Sequence, residues 1–238
     1  MQKPDLFLLH FAGGNMYSFN FMKSLLENDF NFIPLELPGR GKRIREDLLF
    51  DSTKAVDDIV TQILDKLSSN EFVIYGHSMG ANLGFLVISK LEQLNKWPVC
   101  FVASGNPGPN IKSLTKRYQL PKNEFIKELK LLGGIDDEII KNDELFNFFE
   151  PLLRADFEIV EKNDPNHFID IKIYSPIYAY MGLDETYSND IENWKNFTHK
   201  TFDYKLFDGN HFFIYNFPSE MAEIIKTRYA ENISLKSR

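Results

Sequence analysis

Six short runs along the chain are almost continuously apolar: "LFLLH" at 6–10, "FIPLEL" at 32–37, "FVIY" at 72–75, "VCFVAS" at 99–104, "IYAYM" at 177–181 and "YKLF" at 204–207. A strand with one wet face alternates apolar and polar residues, so runs without that alternation predict strands covered on both faces. Between several of them the period changes. In "STKAVDDIVTQILDKL", Val56, Ile59, Ile63 and Leu67 fall on one helical face. Alternating strands and helices predict an α/β protein with a mostly parallel sheet and helices on both sides.

From about 107 to 165 the rhythm breaks. After "NPGPN" the chain reads as helix with no convincing strand: Phe125, Leu129 and Leu132 share a face, Gly133 and Gly134 end that helix, and Phe146, Phe149 and Leu153 mark another stripe. The pattern predicts a helical insertion within a single 1–238 domain. Most of its apolar residues are expected to pack on the core, and its place beside a catalytic centre would suit a lid or an acyl pocket. Its aromatic residues Phe125, Phe146, Phe148 and Phe149 are candidates to line that pocket.

Charge and cysteine content narrow the classes. A net charge of −7 argues against a general affinity for nucleic acid or an anionic membrane surface. The single cysteine, Cys100, lies in an apolar run and reads as a small buried hydrophobe, with no disulfide framework available. The apolar stretch near the N-terminus runs straight into a glycine turn and reads as a strand, not a secretory signal. No window has the apolar length of a membrane span, so a soluble cytoplasmic protein is expected. The five histidines show no paired metal-ligand spacing.

The chemistry concentrates at Gly76-His77-Ser78-Met79-Gly80, a G-x-S-x-G match with a strand before it and small, apolar helix formers after it. In that context Ser78 projects from a tight strand-to-helix turn as a nucleophile, while His77 is turned away. A neutral serine needs an imidazole in reach and an acid to fix its tautomer. His211, in "DGNHFF" after the last strand, is the favoured base over His167 and His199. The acid should follow the preceding strand: Asp184 in "GLDE" is favoured, with Asp208 and Asp190 as competitors. The oxyanion donors would be the backbone N–H groups of Met79 and of Ala12, the latter ahead of Gly13-Gly14. That glycine pair could instead cradle a phosphate, but neither a G-x-G-x-x-G nor a P-loop lysine accompanies it.

Taken together, "FAGGN" near the start, "ELPGRGKR" at 36–43, "GHSMGA" at 76–81, "LRADF" at 153–157, "GLDE" at 182–185 and "GNHFF" at 209–213 resemble the type II thioesterases, stand-alone editing hydrolases of nonribosomal peptide and polyketide synthesis. The resemblance covers nearly the whole chain. It implies an α/β-hydrolase fold, a triad of Ser78, Asp184 and His211, an oxyanion hole of Ala12 and Met79, and a lid formed by the insertion. It also implies removal of acyl groups from the phosphopantetheine arm of acyl- or peptidyl-carrier proteins, without metal or organic cofactor. His10 stands where many relatives have proline, and Gly209-Asn210-His211 where Gly-Gly-His is frequent.

Three other functions use or mimic the same parts: acyl transfer to an amine or alcohol, general carboxylester hydrolysis, and a hydrolase-fold binding module without catalysis. Arg40, Lys42, Arg43 and Arg45 form a basic cluster that reads first as a solvated face and second as a contact for the phosphopantetheine phosphate or an acidic carrier. A monomer is expected.

Overall fold

The computed structural model describes residues 2–111, 114–135, 137–163, 168 and 170–236. The six apolar runs become six strands: β1 (Asp5–Leu9), β2 (Asn31–Pro34), β3 (Phe72–His77), β4 (Cys100–Ser104), β5 (Ile177–Gly182) and β6 (Phe202–Phe207). They form one sheet in the order β2-β1-β3-β4-β5-β6, and every pairing is parallel.

The continuous apolarity of β1, β3, β4 and β5, buried along their whole length, is explained by two cores, one on each face of the sheet; the edge strand β6 departs from the expectation, with Asp203, Tyr204 and Lys205 exposed. Successive side chains point to opposite sides. Phe7 and Leu9, Ile74, Phe101 and Ala103 pack on one face beneath helices α2 (Ser52–Lys66) and α3 (Met79–Gln93). Leu6 and Leu8, Val73 and Tyr75, Cys100 and Val102 pack on the other beneath α1 (Asn20–Leu26) and α7 (Pro218–Lys236). In α2 the predicted stripe is buried at Val56, Ile59 and Ile63, and Asp51 caps the helix by accepting from the Lys54 N–H at 3.0 Å. Leu67 lies one residue beyond the helix and packs partly buried against the same core.

Between β4 and β5 the described residues contain three helices and no named strand: α4 (Lys122–Leu132), α5 (Asp137–Lys141) and α6 (Asp143–Glu161). Gly133 ends α4 in the left-handed region at φ 78°, as the glycine pair predicts. Phe125, Leu129, Phe146, Leu153 and Phe157 make a small core of their own among these helices. Phe125 and Phe146 are therefore internal packing, whereas Phe148 is 64% exposed.

The strand order decides where a site can form. The connection from β1 leads to one edge and β3 lies on the other side of β1, so the loops leaving β1 and β3 part at the carboxyl end of the sheet. In open parallel sheets that crevice is where ligands sit.

Candidate active site

Ser78 occupies the turn between β3 and α3 with φ 55° and ψ −114°, a conformation that side chains rarely adopt and that holds its hydroxyl out of the regular structure. The flanking glycines are explained by close approach. A Cβ on Gly76 would lie 2.2 Å from the Gly80 carbonyl oxygen, and one on Gly80 would lie 2.0 Å from the Leu9 carbonyl oxygen. The turn is therefore pressed against β1.

His211, on the loop after β6, reaches Ser78 across the sheet end. Its Nε2 is 2.8 Å from Ser78 Oγ, and its Nδ1 is 2.6 Å from Glu185 Oε2. The acid on the imidazole is thus Glu185, and the expectation of Asp184 is corrected. The reason lies in the turn after β5. Asp184 donates its N–H to the Gly209 carbonyl at 3.0 Å, and its side chain is exposed. Glu185 folds back under it, with its N–H bonded to the Gly182 carbonyl at 3.2 Å and its Oε1 accepting the Gly182 N–H at 2.7 Å. The longer side chain then presents its second oxygen to His211. The sequence points to Asp184, with Asp208 and Asp190 behind it, and passes over Glu185, which the turn places on His211.

Of the other candidates, Asp190 and Asp208 are exposed, and neither bonds to His211. His199 stacks on Tyr174 at a centroid distance of 4.6 Å, and His167 lies outside the described residues. His77 is buried, with Nδ1 2.8 Å from Ser104 Oγ. Burial, and then the adjacent His211 ring, hold its pKa well below the usual imidazole range.

Across the crevice, the residues after β1 are held by a network that sequence reading missed. Asp156 in α6 is fully buried. Its Oδ2 accepts the Gly13 N–H at 2.8 Å, and its carboxylate takes two bonds from Arg40, at 2.6 and 2.7 Å. Arg40 also donates to the Gly14 carbonyl at 3.3 Å. It is only 4% exposed, so it belongs neither to a solvated face nor to a docking patch. Arg43 is likewise engaged, with Asp58 and Glu46, and only Lys42 and Arg45 of the basic cluster are exposed. Because Gly13 donates to Asp156, its N–H is committed. Neither the Ala12 nor the Met79 N–H has a protein acceptor among the described residues, and Met79 follows Ser78 directly in the turn.

His10 is buried behind this loop, its Nδ1 2.8 Å from the Phe11 carbonyl oxygen. Burial and then the Arg40 charge lower its pKa to about 4. In the His211 loop, Asn210 Oδ1 accepts from the Phe212 N–H at 2.9 Å, so the non-glycine residue there supplies a bond to its own turn.

A cleft of about 240 Å³ opens from Ser78 and His211 between the sheet end and the inserted helices. Its aromatic lining residues are Phe157 and Tyr187. None of Phe125, Phe146, Phe148 and Phe149 lines it: Phe125 and Phe146 pack in the core shared by α4 and α6, Phe149 packs against that core, and Phe148 is exposed.

A sequence model of the thioesterase domain family matches residues 4–230. The chain is 30% identical over 228 residues to the gramicidin S biosynthesis protein GrsT of Aneurinibacillus migulanus, covering 94% of this chain and 88% of that protein. It is 28% identical over 250 residues to the medium-chain S-acyl fatty acid synthase thioesterase of Rattus norvegicus, covering 99% and 92%. Among solved structures, the RedJ thioesterase of the prodiginine pathway in Streptomyces coelicolor superposes with a TM-score of 0.86 at 24% identity, covering 96% of this chain and 94% of that one. The fold is thus that of the α/β-hydrolase thioesterases. With the family model matching residues 4–230 and a relative 30% identical over 94% of the chain, the chain belongs to the thioesterase family and is an enzyme of that class.

Proposed function

We propose that this thioesterase hydrolyses acyl groups from the phosphopantetheine arm of acyl- or peptidyl-carrier proteins, as an editing or release enzyme of nonribosomal peptide or polyketide synthesis, acting as a cytoplasmic monomer. The observation that carries the reading is the continuous relay Ser78 Oγ to His211 Nε2 and His211 Nδ1 to Glu185, in a chain whose relatives include a gramicidin S biosynthesis protein. No helix among the described residues is long and apolar enough to cross a membrane.

In this mechanism Ser78 Oγ attacks the thioester carbonyl as its proton passes to His211 Nε2. The Ala12 and Met79 N–H groups stabilise the tetrahedral oxyanion. The C–S bond then breaks, and the pantetheine thiol leaves with the proton from His211. Water attacks the acyl-Ser78 ester while His211 takes its proton, and the acid departs as Ser78 is reprotonated. Glu185 keeps the Nδ1 proton in place and balances the imidazolium charge.

The test is release of acyl groups from a panel of acyl-pantetheinyl carrier proteins, compared with the same groups as simple oxygen esters, for wild type and Ser78→Ala. Carrier deacylation should fall by about 10⁶-fold in the variant, as when a serine hydrolase loses its nucleophile. Activity confined to oxygen esters would instead indicate a general esterase. Capture of the acyl group by an added amine or alcohol in preference to water would indicate an acyltransferase.

A further inference from the structure

The cleft beside Ser78 is not uniformly apolar. Phe157, Val160 and Met181 line it together with Asn82, Arg117 and Glu161. Arg117 and Glu161 satisfy one another at 3.0 Å, and Arg117 also bonds Glu128. Asn82 differs. It lies one turn into α3, its N–H donating to the Ser78 carbonyl at 3.2 Å, and it is 7% exposed. Its side-chain Oδ1 is buried with no hydrogen-bond partner among the described residues. An unpaired buried amide oxygen is destabilising, and a leucine at this position would have cost the helix nothing. Asn82 is one of the residues that line the cleft, so a bound molecule that meets its side chain can supply the missing donor.

We infer that the acyl chamber selects acyl groups that carry a hydrogen-bond donor, a hydroxyl or an amine, on the second or third carbon, with Asn82 Oδ1 as acceptor. The reach is consistent. Four residues of helix place Asn82 about 6 Å along α3 from Ser78. Two bonds from the carbonyl carbon of an acyl-Ser78 followed by a hydrogen bond of about 2.9 Å span a similar length. Glu161, whose pKa burial raises against the opposing Arg117 charge, adds a second polar group on the opposite, inserted wall. The inference rests on the proposed role of Ser78 as the residue that takes the acyl group. It makes Asn82 a specificity determinant that separates hydroxyacyl and aminoacyl groups from plain fatty acyl groups of the same length.

The experiment compares kcat/KM for matched pantetheine thioesters, 3-hydroxybutyryl against butyryl and alanyl against propionyl, in wild type and Asn82→Leu. Wild type should favour the donor-bearing member of at least one pair by about tenfold or more. The pair that shows it tells a hydroxyl on the third carbon from an amine on the second. Asn82→Leu should bring that ratio to one or below, with a thermal midpoint no lower than wild type because an unpaired oxygen has been removed. Should Asn82→Leu fail to fold, Asn82→Met serves the same comparison. Wild-type ratios within twofold of one in both pairs, or a preference that survives the substitution, overturn the inference while leaving thioester hydrolysis by Ser78 standing. Absence of Ser78-dependent release from all four thioesters would instead remove the parent reading, and this one with it.

Discussion

Replacing Glu185 by glutamine isolates the identity of the acid. The substitution keeps shape and volume, and in the native turn one carboxylate oxygen is already occupied by the Gly182 N–H at 2.7 Å. If the amide oxygen keeps that bond, its NH₂ group faces His211 Nδ1, which must then accept. The ring proton moves to Nε2 and points at Ser78 Oγ, so the base is lost. The charge partner of the imidazolium is lost as well, worth about 4 kcal/mol at ~4 Å and an effective dielectric of 20, or roughly 10³-fold in rate. Together with the tautomer change, Glu185→Gln is expected to lower kcat by about 10³ to 10⁴, comparable with the known effect of Asp-to-Asn in a serine protease triad. Asp184→Asn, at an exposed side chain without a bond to His211, should stay within about threefold of wild type. Steady-state hydrolysis of one acyl-carrier substrate, measured alongside urea midpoints to show that both variants fold, reads the contrast. A large loss in Asp184→Asn with Glu185→Gln near wild type would refute the reasoning.

The buried Asp156–Arg40 pair predicts a stability effect that depends on which partner is removed. Asp156→Ala strands the Arg40 guanidinium and frees the Gly13 N–H, and should cost about 3–5 kcal/mol in urea denaturation. The double variant Asp156→Leu/Arg40→Met should recover most of that loss, so strictly additive losses would reject the coupling. His10 predicts acid sensitivity: its folded pKa of about 4 lies below the ordinary 6.5. The unfolded chain therefore binds the proton first. The stabilisation is whole above about pH 6.5 and is lost as pH falls toward 4, by up to about 3 kcal/mol. His10→Gln should flatten that part of the stability–pH curve, and an unchanged slope would exclude His10 as its source.

Several features of the protein were set by local sequence. Strands buried on both faces must be apolar at nearly every position, so β1, β3, β4 and β5 declare themselves, whereas the exposed edge strand β6 shows only in its short apolar run. Gly76 and Gly80 stand where no Cβ fits, which makes the Ser78 elbow readable as a motif. His211 is legible as a candidate because the last strand and its glycine loop mark its position in chain order, and its Nε2 lies 2.8 Å from Ser78 Oγ. Other features depend on contacts between residues far apart in the chain. Asp184 and Glu185 are chemically similar neighbours, and a turn tied to Gly209 and Gly182 chose between them. Arg40 sits in a basic run that looks solvated, yet Asp156, 116 positions away, draws it into the interior. Phe125 and Phe146 carry the apolarity expected of a substrate pocket but spend it on neighbouring helices. Periodicity and turn chemistry act over a few residues and so survive in one dimension, whereas the partner of a buried charge, the direction of a carboxylate and the lining of a cleft exist only once the chain is packed.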